Sequence, residues 1–298
     1  MGTVTFCPME SSMLEELVGL DAECFNRLEN PRTIENIKDL YENNPEGCYV
    51  AFWDHKIAGY IFTHRFAEVG YLGPLGIKPE YRKLGIGKDV VAKGIEVLLD
   101  AGCKTIGLEV LPEIGNNVGL YLKSNFIATY PTIMFTKKAT SINISQNDAM
   151  IISGADISVS KIEEFDMGFR KKFVGYSFLD DILWVLKRTG QNTYFYLEYD
   201  RIVGFLCYSP VLYPFVWGTV NSCGFEKEIF LKLFSRIENQ NPGKELKIRA
   251  NSRYLKINSI FNEAFLVERC YMRMMLKGYE GQFLSPDPDS LVVRAWMG

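Results

Sequence analysis

Between Ile77 and Asp89 the chain reads Lys78-Pro79-Glu80-Tyr81-Arg82-Lys83-Leu84-Gly85-Ile86-Gly87-Lys88, and here residue types and spacing point most directly to chemistry. A strand-like stretch, Gly70 to Ile77, precedes the loop. An amphipathic stretch, Lys88 to Ala101, follows it, with Val91, Ile95, Leu98 and Leu99 on one helical face. The first N–H groups of a helix lack intrahelical partners, and the aligned peptide dipoles put partial positive charge there. Gly85 and Gly87 let the backbone approach a ligand closely and take positive φ. Arg82, Lys83 and Lys88 add full positive charge beside those donors. Such a place holds an anion, and a pyrophosphate is its natural ligand. The bland alternative is a plain turn that only starts a helix. A Walker A loop is excluded, because Asp89 follows Gly87-Lys88 and position 82 is Arg. A dinucleotide GxGxxG fails as well, because Val90 stands in the last glycine position.

The remaining chemistry is limited by what is scarce. The two histidines, His55 and His64, cannot make a His-based metal cluster and make a Ser-His-Asp triad improbable. The seven cysteines are scattered and form no CxxC pair, which reads as reduced and mostly buried thiols. None has an evident nucleophile context, and Cys24 and Cys223 stay open. No metal site is expected.

In its setting of strand, loop and helix, Arg82-Lys83-Leu84-Gly85-Ile86-Gly87 resembles the acetyl-CoA loop of the GNAT superfamily of N-acetyltransferases, whose pattern is Arg/Gln-x-x-Gly-x-Gly/Ala. Leu108-Glu109-Val110, then Asn116-Asn117-Val118-Gly119-Leu120-Tyr121 and Phe126, are similar to the strand and short helix that follow in that superfamily. Asn125 replaces the usual glycine there, and Asn also tolerates the left-handed conformation. The resemblance covers residues 3 to 137. It implies an α/β fold with a mixed sheet, the GNAT acyl-CoA N-acyltransferase fold, and acetyl-CoA as cosubstrate. It implies backbone contacts to pantetheine from Leu75, Gly76 and Ile77, which polarise the thioester, and pyrophosphate contacts from Arg82, Lys83, Leu84, Gly85, Ile86, Gly87 and Lys88. Asn117 would meet the pantetheine arm, and Tyr121 would bind the cosubstrate and donate a proton to the leaving thiolate. For Tyr121 the structural alternative is a core tyrosine. The expected base is Glu109, a position where some members of that superfamily carry one, and which alternation groups with the small residues Thr105 and Gly107. Glu68 and a water chain are the other candidates, and His64 a weaker one. An ion-paired strand carboxylate is the bland reading of Glu109.

The elements that must hold these residues follow from periodicity. Val4 and Phe6 alternate as a strand; Met13, Leu14, Leu17 and Val18 recur as a helix with Ser11 or Ser12 as its cap. Ile34, Ile37, Leu40 and Tyr41 make a second helix, stopped at Asn44-Pro45. Cys48–Trp53 and Ile57–Phe62 form a hairpin across Asp54-His55-Lys56, which exposes His55. Gly102 ends the helix after the anion loop, Thr105–Val110 is a strand, 117–124 is helical, and 127–137 is extended.

The second half reads as a copy of the first. At one constant offset Tyr49 meets Tyr194, Lys56 meets Arg201, Ile57 meets Ile202, Gly59 meets Gly204 and Gly73 meets Gly218. Two unrelated hairpins of like pattern are the alternative. The expected domains are 1–138, which binds acetyl-CoA and is catalytic, and 150–298, a degenerate GNAT-like half. Polar residues 139–149 link them. The second half has no Arg-x-x-Gly-x-Gly, and Glu226 and Glu228 put negative charge where phosphates would sit. Its aromatics Phe165, Phe169, Phe173, Tyr176, Trp184, Tyr194 and Tyr196 read as core before they read as a cage for an amine.

The chain has 298 residues, 47% hydrophobic and 23% charged, with net charge -3. That suits two folded domains and gives no support to nucleic-acid binding. No apolar run of eighteen residues and no secretory signal are seen, so no membrane partner and a cytoplasmic location are expected. The function expected is transfer of an acetyl group to the primary amine of a small molecule or peptide, by direct attack in a ternary complex. The alternative is a catalytically silent acyl-CoA-binding regulatory protein. Glu23 and Glu29 could draw a cationic amine or be solvated charges. The chain is expected to be a monomer or homodimer.

Overall fold

The structure is a computed structural model that describes residues 3–140, 150–173, 175–189, 192–209, 215–222, 224–253, 260–261, 265–281 and 291–294. These fall into two compact units. One takes the chain to Thr129 together with Arg273–Gly281; the other takes Tyr130 to Met272 together with 291–294.

The first unit begins with strand β1 (Val4–Pro8) and helices α1 (Leu14–Phe25) and α2 (Ile34–Asn43). Leu14, Leu17 and Leu20 bury one face of α1. Its expected serine cap does not form: residues 11–13 make a tight turn that leads in, and Met13 occupies the cap position. In α2 the Thr33 hydroxyl accepts the Asn36 N–H while the Asn36 side chain accepts the Thr33 N–H, both at 3.2 Å. This reciprocal cap satisfies two donors that the helix leaves unpaired.

Strands β2 (Tyr49–Trp53), β3 (Lys56–Phe66) and β4 (Val69–Ile77) follow as an antiparallel meander beside β1. Asp54 and His55 both have positive φ, 47° and 65°, as a two-residue hairpin turn requires. Helix α3 (Ile86–Asp100) starts two residues before its amphipathic pattern and crosses over to β5 (Thr105–Val110), which is parallel to β4. A side chain at Gly94 would stand 2.4 Å from Ile61 Cδ1, so this glycine is what lets α3 lie on the sheet. Helix α4 (Gly115–Lys123) and the short strand β6 (Phe126–Ala128) end the continuous part of the unit.

The next strand of this unit comes from far along the chain. Residues 274–276, the end of β13 (Leu266–Leu276), pair with β6 as Met274↔Ala128, Met275↔Ile127 and Leu276↔Phe126. On the other side Ile106 N–H donates to the Tyr279 carbonyl at 3.0 Å. Conversely β7 (Thr132–Lys138) belongs to the second unit. There it pairs along its whole length with β12 (Glu245–Asn251) and with the first part of β13. The linear boundaries expected at 138 and 150 are therefore corrected. Strand ladders satisfy backbone groups wherever a partner edge lies, and these two edges are filled from the opposite half of the sequence. Ala139 is tied to Lys244 and Gly243, so it too sits in the second unit, while linker residues 141–149 lie outside the described residues.

The second unit repeats the order of the first: β8 (Ile151–Ser153), α5 (Val159–Lys172), α6 (Leu179–Thr189), then the antiparallel strands β9 (Thr193–Glu198), β10 (Arg201–Ser209) and β11 (Phe215–Val220). Helix α7 (Glu226–Gln240) leads to β12, parallel to β11, and β14 (Leu291–Val293) pairs with β11. The repeat extends to buried charge. Asp166 stands to Asp21, and Ser177 to Arg32, as Gly204 stands to Gly59, and both pairs are bonded: Ser177 Oγ to Asp166 at 2.7 Å, and Arg32 to Asp21. One equivalence is corrected. Gly204 faces Val220 as Gly59 faces Ile77, so the second copy is two residues shorter between these points, and Gly218 corresponds to Leu75, not Gly73. The aromatics form core: Phe169 stacks on Phe173 at 4.3 Å and packs on Phe178 at 5.0 Å, with all three buried.

Among the described residues no helix is long and apolar enough to cross a membrane. A chain ending at residue 140 lacks the strand that lies between β5 and β6, and it is expected to give no cooperative thermal transition by circular dichroism; a sharp one would show that 1–140 folds alone. A second expectation concerns the thiols. Burial pushes Cys103 up to about 11 and Cys207 up to about 12, from an ordinary 9.0. The folded chain holds these protons while the unfolded chain releases them, so this stability is whole below pH 9 and is lost as pH rises above it. The midpoint of thermal unfolding should fall between pH 9 and 11, and a flat profile there would contradict this.

Candidate active site

β4 and β5 pair only at Val69↔Thr105, Gly70↔Ile106 and Tyr71↔Gly107. Past Tyr71 they part. On its other edge β4 stays paired with β3, as Leu75↔Ile61, Gly76↔Tyr60 and Ile77↔Gly59. Among the described residues the β5-side edge of 72–77 has no ladder partner, so an edge in mid-sheet presents backbone donors and acceptors to an extended ligand. Leu75, Gly76 and Ile77 lie together on this segment. Gly76 is required by its neighbours, since a side chain there would stand 2.8 Å from Cys24 Cβ and 2.8 Å from Tyr60 Cε1.

The loop after Ile77 is anchored by Arg82. Its Nε donates to the Ile77 carbonyl at 3.1 Å and its Nη2 to the Cys24 carbonyl at 2.6 Å. The guanidinium thus ties the loop to the ends of β4 and α1, where a helix leaves carbonyls unpaired. Lys83, with φ 67°, Leu84 and Lys88 are exposed. Gly85 precedes α3 at φ 93° with open space around it, so the backbone angle alone demands glycine. No side chain caps α3, which leaves the amides of Ile86 and Gly87 turned outward at the positive end of the helix. A side chain at Gly87 would touch Leu120 Cδ2 at 3.4 Å and Ile77 Cγ1 at 3.9 Å, so the helix start, the end of β4 and α4 converge.

α4 carries the other site residues. Asn117 is exposed in its first turn. The Tyr121 ring packs edge-on against Phe126 at 5.9 Å, and burial pushes its phenol well above the usual value. At neutral pH it holds its proton as a donor. Glu109 is half-buried on β5 with its side chain covered; its N–H donates to the Tyr71 hydroxyl at 3.0 Å and its carboxylate pairs with Arg273 at 3.1 Å. Glu68 sits in the turn before β4, at the other end of the strand, bonded to Lys104 at 2.7 Å. His64 is buried on β3, with Nδ1 3.3 Å from the Asn43 side chain. Glu23, Glu29 and His55 are exposed.

Two groups lay outside the sequence reading. Arg273 is separated from Glu109 by most of the chain, and its only signal is a cation in the apolar run Tyr271–Leu276. Asp21 falls four residues after Leu17 and seven after Leu14, a carboxylate on the buried stripe of α1. It pairs with Arg32 and accepts the Tyr60 hydroxyl at 2.5 Å. Burial, then the Asp21 charge, raise the Tyr60 phenol well above its ordinary value. This cluster braces the ring against which Gly76 packs. Cys24, on the same side, is pushed up to about 12 chiefly by burial, against Arg82, and so remains a thiol at neutral pH. Among the described residues no three metal-ligating side chains converge.

The acetyltransferase (GNAT) family profile matches residues 14–126. The chain is similar to N-alpha-acetyltransferase 30 of Dictyostelium discoideum, at 24% identity over 42% of this chain and 69% of that protein. It is also similar to N-alpha-acetyltransferase MAK3 of Arabidopsis thaliana, at 32% identity over 28% of this chain and 46% of that one. It thus spans less than half of the Arabidopsis protein. The fold matches a crystal structure of a candidate acetyltransferase from Pyrococcus horikoshii with TM-score 0.69 and 20% identity, over 99% of this chain and 95% of that one. It also matches a GCN5-related N-acetyltransferase from Sphaerobacter thermophilus with TM-score 0.64 and 13% identity, over 91% and 95%.

Removing one partner of a buried ion pair leaves the other charged and unpaired, a loss of about 3–5 kcal/mol. Asp21→Ala, which removes the carboxylate that both Arg32 and Tyr60 meet, is expected to lower the free energy of unfolding in urea by that much. A loss below about 1 kcal/mol would mean that the cluster does not brace the end of β4.

Proposed function

We propose, from the match of residues 14–126 to the acetyltransferase (GNAT) family profile, that this chain moves an acetyl group from acetyl-CoA to a primary amine by direct attack in a ternary complex. The observation that carries the reading is the parting of β4 from β5, which leaves Leu75–Ile77 leading straight to the uncapped start of α3. Those strand amides suit an extended pantetheine arm. The amides of Gly85, Ile86 and Gly87, with the Lys83 and Lys88 side-chain charges, suit its pyrophosphate, while the Lys88 N–H is taken by the Gly85 carbonyl. Asn117, at the start of α4, meets the arm from the other side.

The backbone of Leu75–Ile77 polarises the thioester carbonyl. Glu109 takes the proton that an ammonium must lose before it can attack. Tyr121 gives its proton to sulfur as the carbon–sulfur bond breaks. The acceptor is a peptide or small-molecule amine; the two curated relatives, both N-alpha-acetyltransferases by name, favour a peptide α-amine. The second unit is a degenerate copy of the same fold. In place of an open anion site, the first turn of α7 holds Glu226, whose carboxylate accepts the Gly224 N–H at 3.4 Å.

Calorimetry with acetyl-CoA is expected to show one saturable site per chain, weakened about tenfold or more in Gly85→Ala, where a β-carbon opposes the left-handed backbone. Tyr121→Phe is expected to bind normally and to turn over about 10²-fold more slowly. No binding at millimolar acetyl-CoA sinks the reading. Binding without acetylation of any amine leaves a silent acyl-CoA-binding protein, and full turnover in Tyr121→Phe removes the tyrosine as acid.

A further inference from the structure

Glu109 lies two residues beyond Gly107, the last residue of β5 that still faces β4, so it stands where the two strands open. Its side chain is 1% exposed, and that of Arg273 is 7% exposed. A carboxylate so placed is costly unless a cation and hydrogen bonds accompany it. Both edges of β5 supply support. From β4, the Tyr71 hydroxyl accepts the Glu109 N–H. From β13, the Arg273 Nη2 reaches Glu109 Oε1 at 3.1 Å. Arg273 itself is fixed in place, because its carbonyl accepts both the N–H of Thr129 at 2.8 Å and the Thr129 hydroxyl at 3.2 Å. The following residue, Met274, is in register with Ala128.

We infer that Arg273 is a positioning residue for Glu109, so that the C-terminal half of the sequence completes the active site of the first unit through the end of β13. The inference rests on the proposed role of Glu109 as base. The bond from the Arg273 guanidinium to Oε1 fixes the direction in which the Glu109 side chain leaves β5, beside the point where the two strands open. Arg273 touches neither reacting amine nor thioester in this scheme and acts through Glu109. This gives the second half a catalytic task that needs no ligand of its own.

The test uses the full-length chain, with acetyl-CoA affinity by calorimetry and kcat for an amine or peptide acceptor measured side by side. Arg273→Gln is expected to keep acetyl-CoA affinity within about twofold while kcat falls about 10–100-fold, and Arg273→Lys to show a smaller but measurable fall of about threefold to tenfold. In a Glu109→Gln background, Arg273→Gln should change kcat by less than about twofold, because the pair acts as a unit. A wild-type kcat in Arg273→Gln, or an equal loss with and without Glu109, overturns the inference while leaving the proposed function standing. So does a fall of acetyl-CoA affinity in step with kcat in both variants, which marks a structural role. If Arg273→Gln does not fold, Arg273→Lys decides. Lower kcat at unchanged affinity, absent in the Glu109→Gln background, supports the inference; affinity and kcat falling together, or no loss of kcat, overturns it. A wild type that binds no acetyl-CoA, or binds it and acetylates no amine, brings down the proposed function and this inference with it.

Discussion

Parallel strands joined by a helix ordinarily stay paired along their length, because every unpaired backbone group in a sheet interior carries a desolvation cost. β4 and β5 keep only three paired positions and then separate. The whole first unit is arranged around that separation. β3 keeps the far edge of β4 paired through Leu75–Ile77, beyond a register shift at Gly73-Pro74, while the near edge opens. The Arg82 guanidinium closes the loop at the end of β4 by bonding the Ile77 and Cys24 carbonyls. The α3 helix starts at Ile86 with no side chain over its first amides. A strand edge without a ladder partner among the described residues and a helix start with no side-chain cap are thus placed in line.

Keeping such a gap open requires stiffness around it, and buried charge supplies it. Asp21, Arg32 and Tyr60 form a closed cluster under the end of β4, while Glu109 and Arg273 pair beside the point of separation. Buried pairs add little net stability compared with apolar residues of similar volume, but each fixes a geometry that is expensive to lose. Gly76 shows how tight that geometry is, because its neighbours leave no room for a methyl group. The recurrence of the carboxylate as Asp166, now bonded to Ser177 and to the Phe178 N–H, shows the same device at the same point of the second unit, with a hydroxyl in place of the guanidinium.

Much of this was legible because it is local. The loop between β4 and α3, the hairpin at Asp54-His55, the strand Thr105–Val110 and the helix holding Tyr121 are each set by residues within a few positions of one another, where turn chemistry and periodicity operate. The copy in the second half was visible through the Gly59 and Gly204 hairpins. Several features were not legible. The α1 cap was misplaced because a tight turn over residues 11–13 takes the position that a serine would have filled. The Gly73 equivalence failed because strand register, not counting, sets correspondence, and the second copy is two residues shorter there. Glu68 is near in sequence to the site strand but at its wrong end.

The domain boundary failed for a deeper reason. Composition marks a polar segment after residue 138, and a polar segment between two similar halves reads as a linker. Hydrogen-bond ladders ignore that logic. A strand leaves its own half whenever the edge it meets offers matching register and a matching apolar face, and β7 and the end of β13 both do so. Each unit therefore closes its sheet only when the chain has passed through the other. For the first unit this makes Arg273, near the end of the sequence, part of the surroundings of Glu109. A sequence pattern confined to residues 14–126 does not reach Arg273, the residue that pairs with the Glu109 carboxylate.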